Sequence, residues 1–204
     1  AKAWYRIDRR QTYIRPTQLK AWFEAVGEED ELSRDFLQIL ILTGLRRGEA
    51  CRLAWKNIDL AHKTLTVPDT KNKQPHTLPL SDHLLAIFTR RKGLASGPWV
   101  FPGPGATGHF VEPQKCVERV AEASGVPFTC HDLRRSFLTV AESLDISAYS
   151  VKRLANHKMT SDVTAGYIVT DVERLRVPMQ KISDFILKAA GVKQAHVVKL
   201  RKRA

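Results

Sequence analysis

The sequence predicts a mainly helical domain with a small antiparallel β-sheet, an α+β fold. Two observations predict it. Through most of the chain apolar residues recur at helical spacing, and the runs are closed by glycines or opened by proline or serine. The period changes to two near residues 65–80, where Leu65 and Val67 alternate with polar neighbours beside a turn-rich connector. Hydrophobic residues make up 43% of the 204, enough for a core. No stretch approaches the roughly twenty apolar residues that a membrane span needs.

Residues 1–15 read as a linker or arm rich in arginine (Arg6, Arg9, Arg10, Arg15). Pro16 opens a helix over 17–26, with Leu19, Trp22, Phe23 and Val26 on one face, and Gly27 ends it. A second helix over 31–43 carries Phe36, Ile39, Leu40 and Leu42, and Gly44 is its C-terminal stop. A short helix over 47–54 follows. The connector Pro68-Asp69-Thr70-Lys71-Asn72-Lys73-Gln74-Pro75 makes a β-hairpin with Lys71 at or near its tip. Ser81 caps a helix over 82–92. A Gly/Pro-rich loop spans 97–108, with Trp99–Phe101 as a candidate third strand. Helices are expected over 113–124, stopped by Gly125, then over 131–144 and 147–156. A last helix over 178–190 starts at Pro178 and ends at Gly191. The expected organisation is an arm over 1–15, one domain over 16–191 and a basic tail over 192–204. The chain opens Ala1-Lys2-Ala3-Trp4 without an initiator Met, so sequence missing before it is expected.

The net charge is +12 and the pI about 9.9. A protein this basic points to a polyanion, because each Lys or Arg that neutralises a phosphate releases a condensed counterion; a merely solvated, lysine-rich surface is the plainer alternative. Cys51, Cys116 and Cys130 are odd in number and form no CxxC pair, which argues against a disulfide framework or zinc site and suits a reducing cytosol.

Four segments carry candidate chemistry. In Thr43-Gly44-Leu45-Arg46-Arg47-Gly48-Glu49, Arg46 and Glu49 share a helix face, as an ordinary surface ion pair also would. In His131-Asp132-Leu133-Arg134 the imidazole and guanidinium project the same way, an arrangement that suits a phosphate. His157 follows in Leu154-Ala155-Asn156-His157, and Tyr167 lies ten residues further on in Ala165-Gly166-Tyr167. Lys71 sits in the hairpin. Each alone has a structural explanation: a surface pair, a chance H-x-x-R, a helix-end histidine, a packed tyrosine.

In this order the set resembles the tyrosine recombinases, the phage-integrase family. The segments 53–59 (Leu-Ala-Trp-Lys-Asn-Ile-Asp) and Thr77-Leu78-Pro79-Leu80 look like the family's neighbours of the first arginine and of the lysine hairpin, and 154–176 is similar to prophage integrases. The resemblance covers roughly 15–190. It implies the tyrosine-recombinase catalytic-domain fold, with Arg46 and Arg134 as the two catalytic arginines, His131 and His157 as the histidines around the phosphate, Lys71 as the hairpin lysine and Tyr167 as the nucleophile. Glu49 matches an acidic position expected to support the site. Arg47 and Arg135 are adjacent rivals, but the G-L-R and H-x-x-R spacings select Arg46 and Arg134; Lys73 is a rival to Lys71, and Tyr149 lies on a helix without the His-to-Tyr spacing and reads as packing.

The implied chemistry needs these residue types. Attack on a phosphodiester builds charge on the equatorial oxygens, which fixed cations stabilise; losing one preorganised donor costs on the order of a hundred- to a thousandfold in rate. A tyrosine hydroxyl, with a reference pKa of about 10, must lose its proton to attack, and an imidazole can take it. The leaving 5′ oxygen needs a proton, which Lys71 can supply. The product is a 3′-phosphotyrosyl bond that retains the energy for rejoining, so neither ATP nor metal is expected: there is no G-x-x-x-x-G-K loop and no carboxylate cluster for paired magnesium ions. No cofactor is expected. The implied partners are double-stranded DNA attachment sites, further copies of the chain in a homotetramer on DNA (a monomer without it), and accessory DNA-bending proteins, with no membrane. The implied location is the bacterial cytoplasm, at the nucleoid. The family also carries a helical core-binding domain ahead of this one, and its C-terminal segment docks on a neighbour, a role for which the 178–190 helix is a candidate alongside packing on its own domain.

Three other readings compete. A type IB topoisomerase uses similar residues, but the short spacing and prophage-like end argue against it. A non-catalytic DNA-binding module would be free to lose the set. A generic basic helical protein would carry it by coincidence.

Overall fold

The computed structural model describes residues 11–70, 74–157 and 172–192. After one 3-10 turn at Pro16–Gln18 comes α1 (Leu19–Gly27), whose buried face is Leu19, Trp22, Phe23 and Val26; Trp22 packs edge-on against Phe23 and Phe128. Helix α2 (Glu31–Thr43) is capped by Asp30, whose carboxylate accepts from the Leu32 and Ser33 amides at 3.0 Å. Phe36, Leu37, Ile39, Leu40, Ile41 and Leu42 of α2 are all buried. Residues 39–43 are buried on every side, so the second half of α2 lies at the centre, and α2 packs against α1 and the later helices alike.

Next come α3 (Arg47–Cys51), a 3-10 turn at Trp55–Asn57, and a three-stranded antiparallel sheet of β1 (Ile58–Asp59), β2 (Thr64–Val67) and β3 (His76–Pro79), in the order β1-β2-β3. The register pairs Ile58 with Leu65, Leu65 with Leu78, and Val67 with His76. Then follow α4 (Asp82–Gly93), α5 (Gln114–Ser124), α6 (Cys130–Ser143), α7 (Ala148–Leu154) and α8 (Glu173–Ala189). Ser81, Thr129 and Ser147 cap α4, α6 and α7. The buried carboxylate of Asp35 on α2 is met by Arg90 at 2.5 Å and Arg91 at 3.1 Å from α4, so it carries no unpaired charge.

The architecture is the mainly helical one with a small antiparallel sheet that the sequence predicts, with three differences. The third strand is Ile58–Asp59, not Trp99–Phe101. The latter segment instead meets residues 53–55: Trp55 donates to the Pro98 carbonyl at 2.9 Å and Val100 to the Leu53 carbonyl at 2.8 Å. The same pairing ends α3 at Cys51, short of residue 54, because the Leu53 carbonyl and Trp55 amide are drawn to the 98–100 segment. Finally, α8 starts at Glu173 and runs through Pro178, which lies inside the helix. Its Met179, Ile182, Ile186 and Leu187 are buried against α8's own domain, where it packs on α2, α6, α7 and β3. The arm over 1–10 and the tail over 193–204 lie outside the described residues. Residues 11–15 lie on α6, with the Ile14 amide donating to Ser136 Oγ at 2.8 Å.

Candidate active site

Three chain reversals build the site. The first joins α2 to α3. Gly44 ends α2 in the left-handed region at φ 65°, and a Cβ there would lie 2.6 Å from the Phe137 ring of α6, so only glycine lets the two helices approach. Arg46 follows as the N-cap of α3. Its amide and its guanidinium Nη1 both donate to the buried Glu49 carboxylate, each at 2.9 Å. Glu49 thereby satisfies a helix-start amide and aims the guanidinium of a partly exposed arginine.

The second is the start of α6. Thr129 and Asp132 form a capping box: the Thr129 amide donates to Asp132 Oδ2 at 2.9 Å and the Asp132 amide to Thr129 Oγ1 at 3.3 Å. This sets the first turn, on which His131 is exposed. Arg134 follows one turn later and is only 5% exposed. Its Nη1 donates to the Gly44 carbonyl at 2.5 Å and its Nη2 to the Ala155 carbonyl, so one guanidinium ties together the ends of α2 and α7. Carbonyls hold the group without neutralising its charge.

The third is the end of α7. Asn156 takes φ 49°, the left-handed conformation that asparagine tolerates best among residues with a side chain. The His157 amide donates back to the Lys152 carbonyl at 2.9 Å and the Asn156 amide to the Arg153 carbonyl at 3.1 Å. This is a Schellman stop, and it delivers His157 at the helix end. Beside it, His76 of β3 is 8% exposed and its Nε2 lies 3.2 Å from the Leu154 carbonyl. A cavity of about 340 Å³ opens here, lined by His76, Thr77, Lys152, Arg153 and His157 among others.

The charges act on one another across these elements. Burial, then the nearby Arg46 charge, pulls the Arg134 guanidinium down to about 10, opposed by Glu49; it remains cationic at neutral pH. Partial desolvation lowers His131 from the ordinary histidine value although the ring is exposed, with Arg135, Arg134 and Arg46 adding and Asp132 opposing, and it lowers the exposed His157, with Arg134, Arg46 and Lys152 adding. Burial likewise holds His76 below the ordinary histidine range, with Arg134 and Arg46 adding and the Leu154 carbonyl and Glu49 opposing. Neutral imidazoles beside permanent cations can accept protons.

The structure thus brings Arg46, Glu49, His131, Arg134 and His157 into one electrostatic neighbourhood. Lys71, its rival Lys73, and Tyr167 lie outside the described residues. Arg47 is exposed, and Arg135 turns away to Asp132 at 3.3 Å and the Thr12 carbonyl at 3.5 Å. Tyr149 lies under the Arg153 guanidinium, whose Nε donates to its hydroxyl at 3.1 Å. His76 joins the neighbourhood although its sequence context suggested nothing. The available signal was a histidine two residues before Leu78, in the inward phase of an alternating strand.

Among the described residues no helix is long and apolar enough to cross a membrane, and no group of three His, Cys, Asp or Glu could hold a metal ion. The phage integrase family matches residues 12–174. The prophage integrase IntF of Escherichia coli K12 is 29% identical over 198 residues, 92% of this chain and 42% of that protein. The tyrosine recombinase XerA of Pyrococcus furiosus is 29% identical over 169 residues, 77% of this chain and 59% of that protein. The chain therefore spans only part of the length of these curated relatives. Among solved structures, the integrase from mycobacterium phage Brujita superposes with a TM-score of 0.70 at 19% identity, over 91% of this chain and 65% of that one. XerH recombinase bound to difH substrate does so at 0.61 and 18%, over 84% and 55%. These two share the fold. With the family match spanning most of the sequence, from the segment before α1 to the start of α8, the chain belongs to the phage integrase family.

Proposed function

We propose that this chain is the catalytic domain of a site-specific tyrosine recombinase of the prophage-integrase kind. It cuts and rejoins double-stranded DNA by transesterification, without metal or ATP. Tyr167 attacks the scissile phosphate and forms a 3′-phosphotyrosyl bond; the 5′ oxygen leaves with a proton from Lys71. Arg46 and Arg134 stabilise the charge that develops on the phosphate oxygens. A neutral His131 or His157 takes the tyrosine proton, and the reverse sequence rejoins the strand. Glu49 orients Arg46.

The observation that carries this reading is the placement of Arg134. A buried guanidinium is fixed by main-chain carbonyls of two other segments, keeps its charge, and lies within electrostatic reach of a second arginine. Two arginines gathered at one place repel one another, and a shared anion such as a phosphodiester relieves that repulsion. The net charge of +12 favours a polyanionic partner as well. In the full reaction the chain would act as a homotetramer on its attachment sites, aided by DNA-bending proteins, at the nucleoid in the cytoplasm.

Covalent trapping tests the proposal. The full-length protein is incubated with a nicked suicide substrate carrying its attachment site, and the wild type is compared with Tyr167→Phe. An SDS-resistant protein–DNA adduct in the wild type alone is the expected result. An adduct in both would move the nucleophile elsewhere, and no adduct in either, with DNA bound, would overturn the proposal in favour of a non-catalytic DNA-binding module.

A further inference from the structure

A helix end leaves its last four carbonyls without partners inside the helix. At the end of α7 all four are accounted for, and the way they are satisfied is divided. Lys152 and Arg153 carbonyls accept from the local Schellman amides of His157 and Asn156. The Leu154 and Ala155 carbonyls accept from distant side chains, His76 on β3 and Arg134 on α6. One of these two donors is a candidate catalytic arginine. The other is His76, to which the proposed reaction assigns no role.

His76 occupies a position that packing alone would fill with an apolar residue. It lies in register with Val67, in the same inward phase as Leu78, at 8% exposure. Burying an imidazole costs free energy unless its polar atoms are used, and burial does hold this one below its ordinary protonation range. A carbonyl only accepts, so the bond fixes the tautomer with the proton on Nε2. Because the Leu154 and Ala155 carbonyls are consecutive in the last turn, a shift of one displaces the other, and with it the acceptor of Arg134 and the Schellman turn that ends in His157.

We propose that His76 is a positioning residue for strand cleavage: by donating to the Leu154 carbonyl it holds the last turn of α7 in register, and through that turn it places Arg134 and His157. The inference rests on the recombinase reading above.

The test is single-turnover cleavage of the suicide substrate by the full-length protein, with DNA affinity measured in parallel. His76→Leu removes the donor, and His76→Asn keeps a polar side chain too short to reach. His76→Gln places an amide donor near the position of Nε2. The Leu and Asn variants are expected to bind DNA as the wild type does and to cleave about a hundredfold more slowly, the scale on which a misplaced group costs rate. His76→Gln is expected to recover most of the loss. Combined with His157→Ala, His76→Asn should add less than its full loss, since the part of its effect that passes through His157 is already gone while the part through Arg134 remains. If His76→Leu fails to fold, as a thermal melt will tell, the Asn and Gln pair carries the comparison. Cleavage at the wild-type rate without the donor, a Gln variant as slow as Asn, or full multiplication with His157→Ala would each overturn the proposal. So would recovery of the Asn variant on a substrate with a sulfur 5′ leaving group, which would place the effect at Lys71. If the wild type itself gives no adduct, the recombinase reading falls, and this inference with it.

Discussion

The Arg134 guanidinium donates to the Gly44 carbonyl at 2.5 Å across a sequence separation of 90 residues. That bond joins the turn leading to Arg46 to the helix that carries His131. The same guanidinium reaches the Ala155 carbonyl, so three stretches of chain share one charged group.

Arg134→Ala is therefore expected to act on both chemistry and stability. Cleavage should fall by at least about a hundred- to a thousandfold, the usual cost of losing a preorganised donor at a developing oxyanion. Two carbonyls lose their donor, which should lower stability by about 1–3 kcal/mol while leaving the protein folded. Arg134→Lys should also cleave poorly, because an ammonium is a point charge and cannot serve both carbonyls and a phosphate as a planar fork. Adduct formation and a denaturant titration read the two effects separately. Unchanged cleavage in the alanine variant would remove Arg134 from the site.

Gly44→Ala should destabilise the fold by about 1–3 kcal/mol, since its Cβ falls 2.6 Å from the Phe137 ring in a backbone conformation with φ 65°. The clash pushes α2 and α6 apart at the carbonyl that holds Arg134, so cleavage should drop as well. The denaturation midpoint and single-turnover cleavage check both. A midpoint equal to the wild type would mean that the two helices can separate there at little cost.

The pH dependence follows from the depressed histidines. His131 and His157 both titrate below the ordinary value, partial desolvation being the leading cause and the arginines the second. Both are therefore neutral at pH 7, as the proposed removal of the tyrosine proton requires. The cleavage rate should hold level through neutrality and fall only at pH values below about 6.5, the reference value for histidine. Stability should follow the same direction. Below about 6.5 the unfolded chain binds protons at these positions and at His76 more readily than the native one, so the native state loses stability as pH falls. A rate that rises on acidification would assign the imidazoles a proton-donating role instead.

Lys71→Ala should slow cleavage of an ordinary phosphodiester and cleave much better when the 5′ leaving group is sulfur, which departs without a proton. Rates on the paired substrates decide this. If the sulfur substrate gives no recovery, the general acid lies elsewhere, with Lys73 next to be tested.

Much of this architecture was legible from local signals. The helical runs ending at Gly44 and Gly125 stop there in the structure, each glycine with positive φ, because a left-handed stop is a property of a single residue and needs no partner. The Ser81 cap was legible for the same reason, and the hairpin strands from the alternation around Leu65 and Val67. Strand Ile58–Asp59 was not, because two residues carry no period. The start of α8 was misplaced because Pro178 resembles a helix opening, while the preceding turn at Glu173 holds without it.

The motif residues divide in the same way. Spacing along the chain was enough to pair Arg46 with Glu49, three residues apart on one turn, and to place His131 and Arg134 on one face of α6. It was not enough to show that Arg134 is buried and fastened to the carbonyls of Gly44 and Ala155, or that His76 meets Leu154. Those contacts join elements far apart in sequence. They depend on how closely α2, α6, α7 and β3 pack, and close packing is a property of the assembled core that no local stretch of sequence encodes.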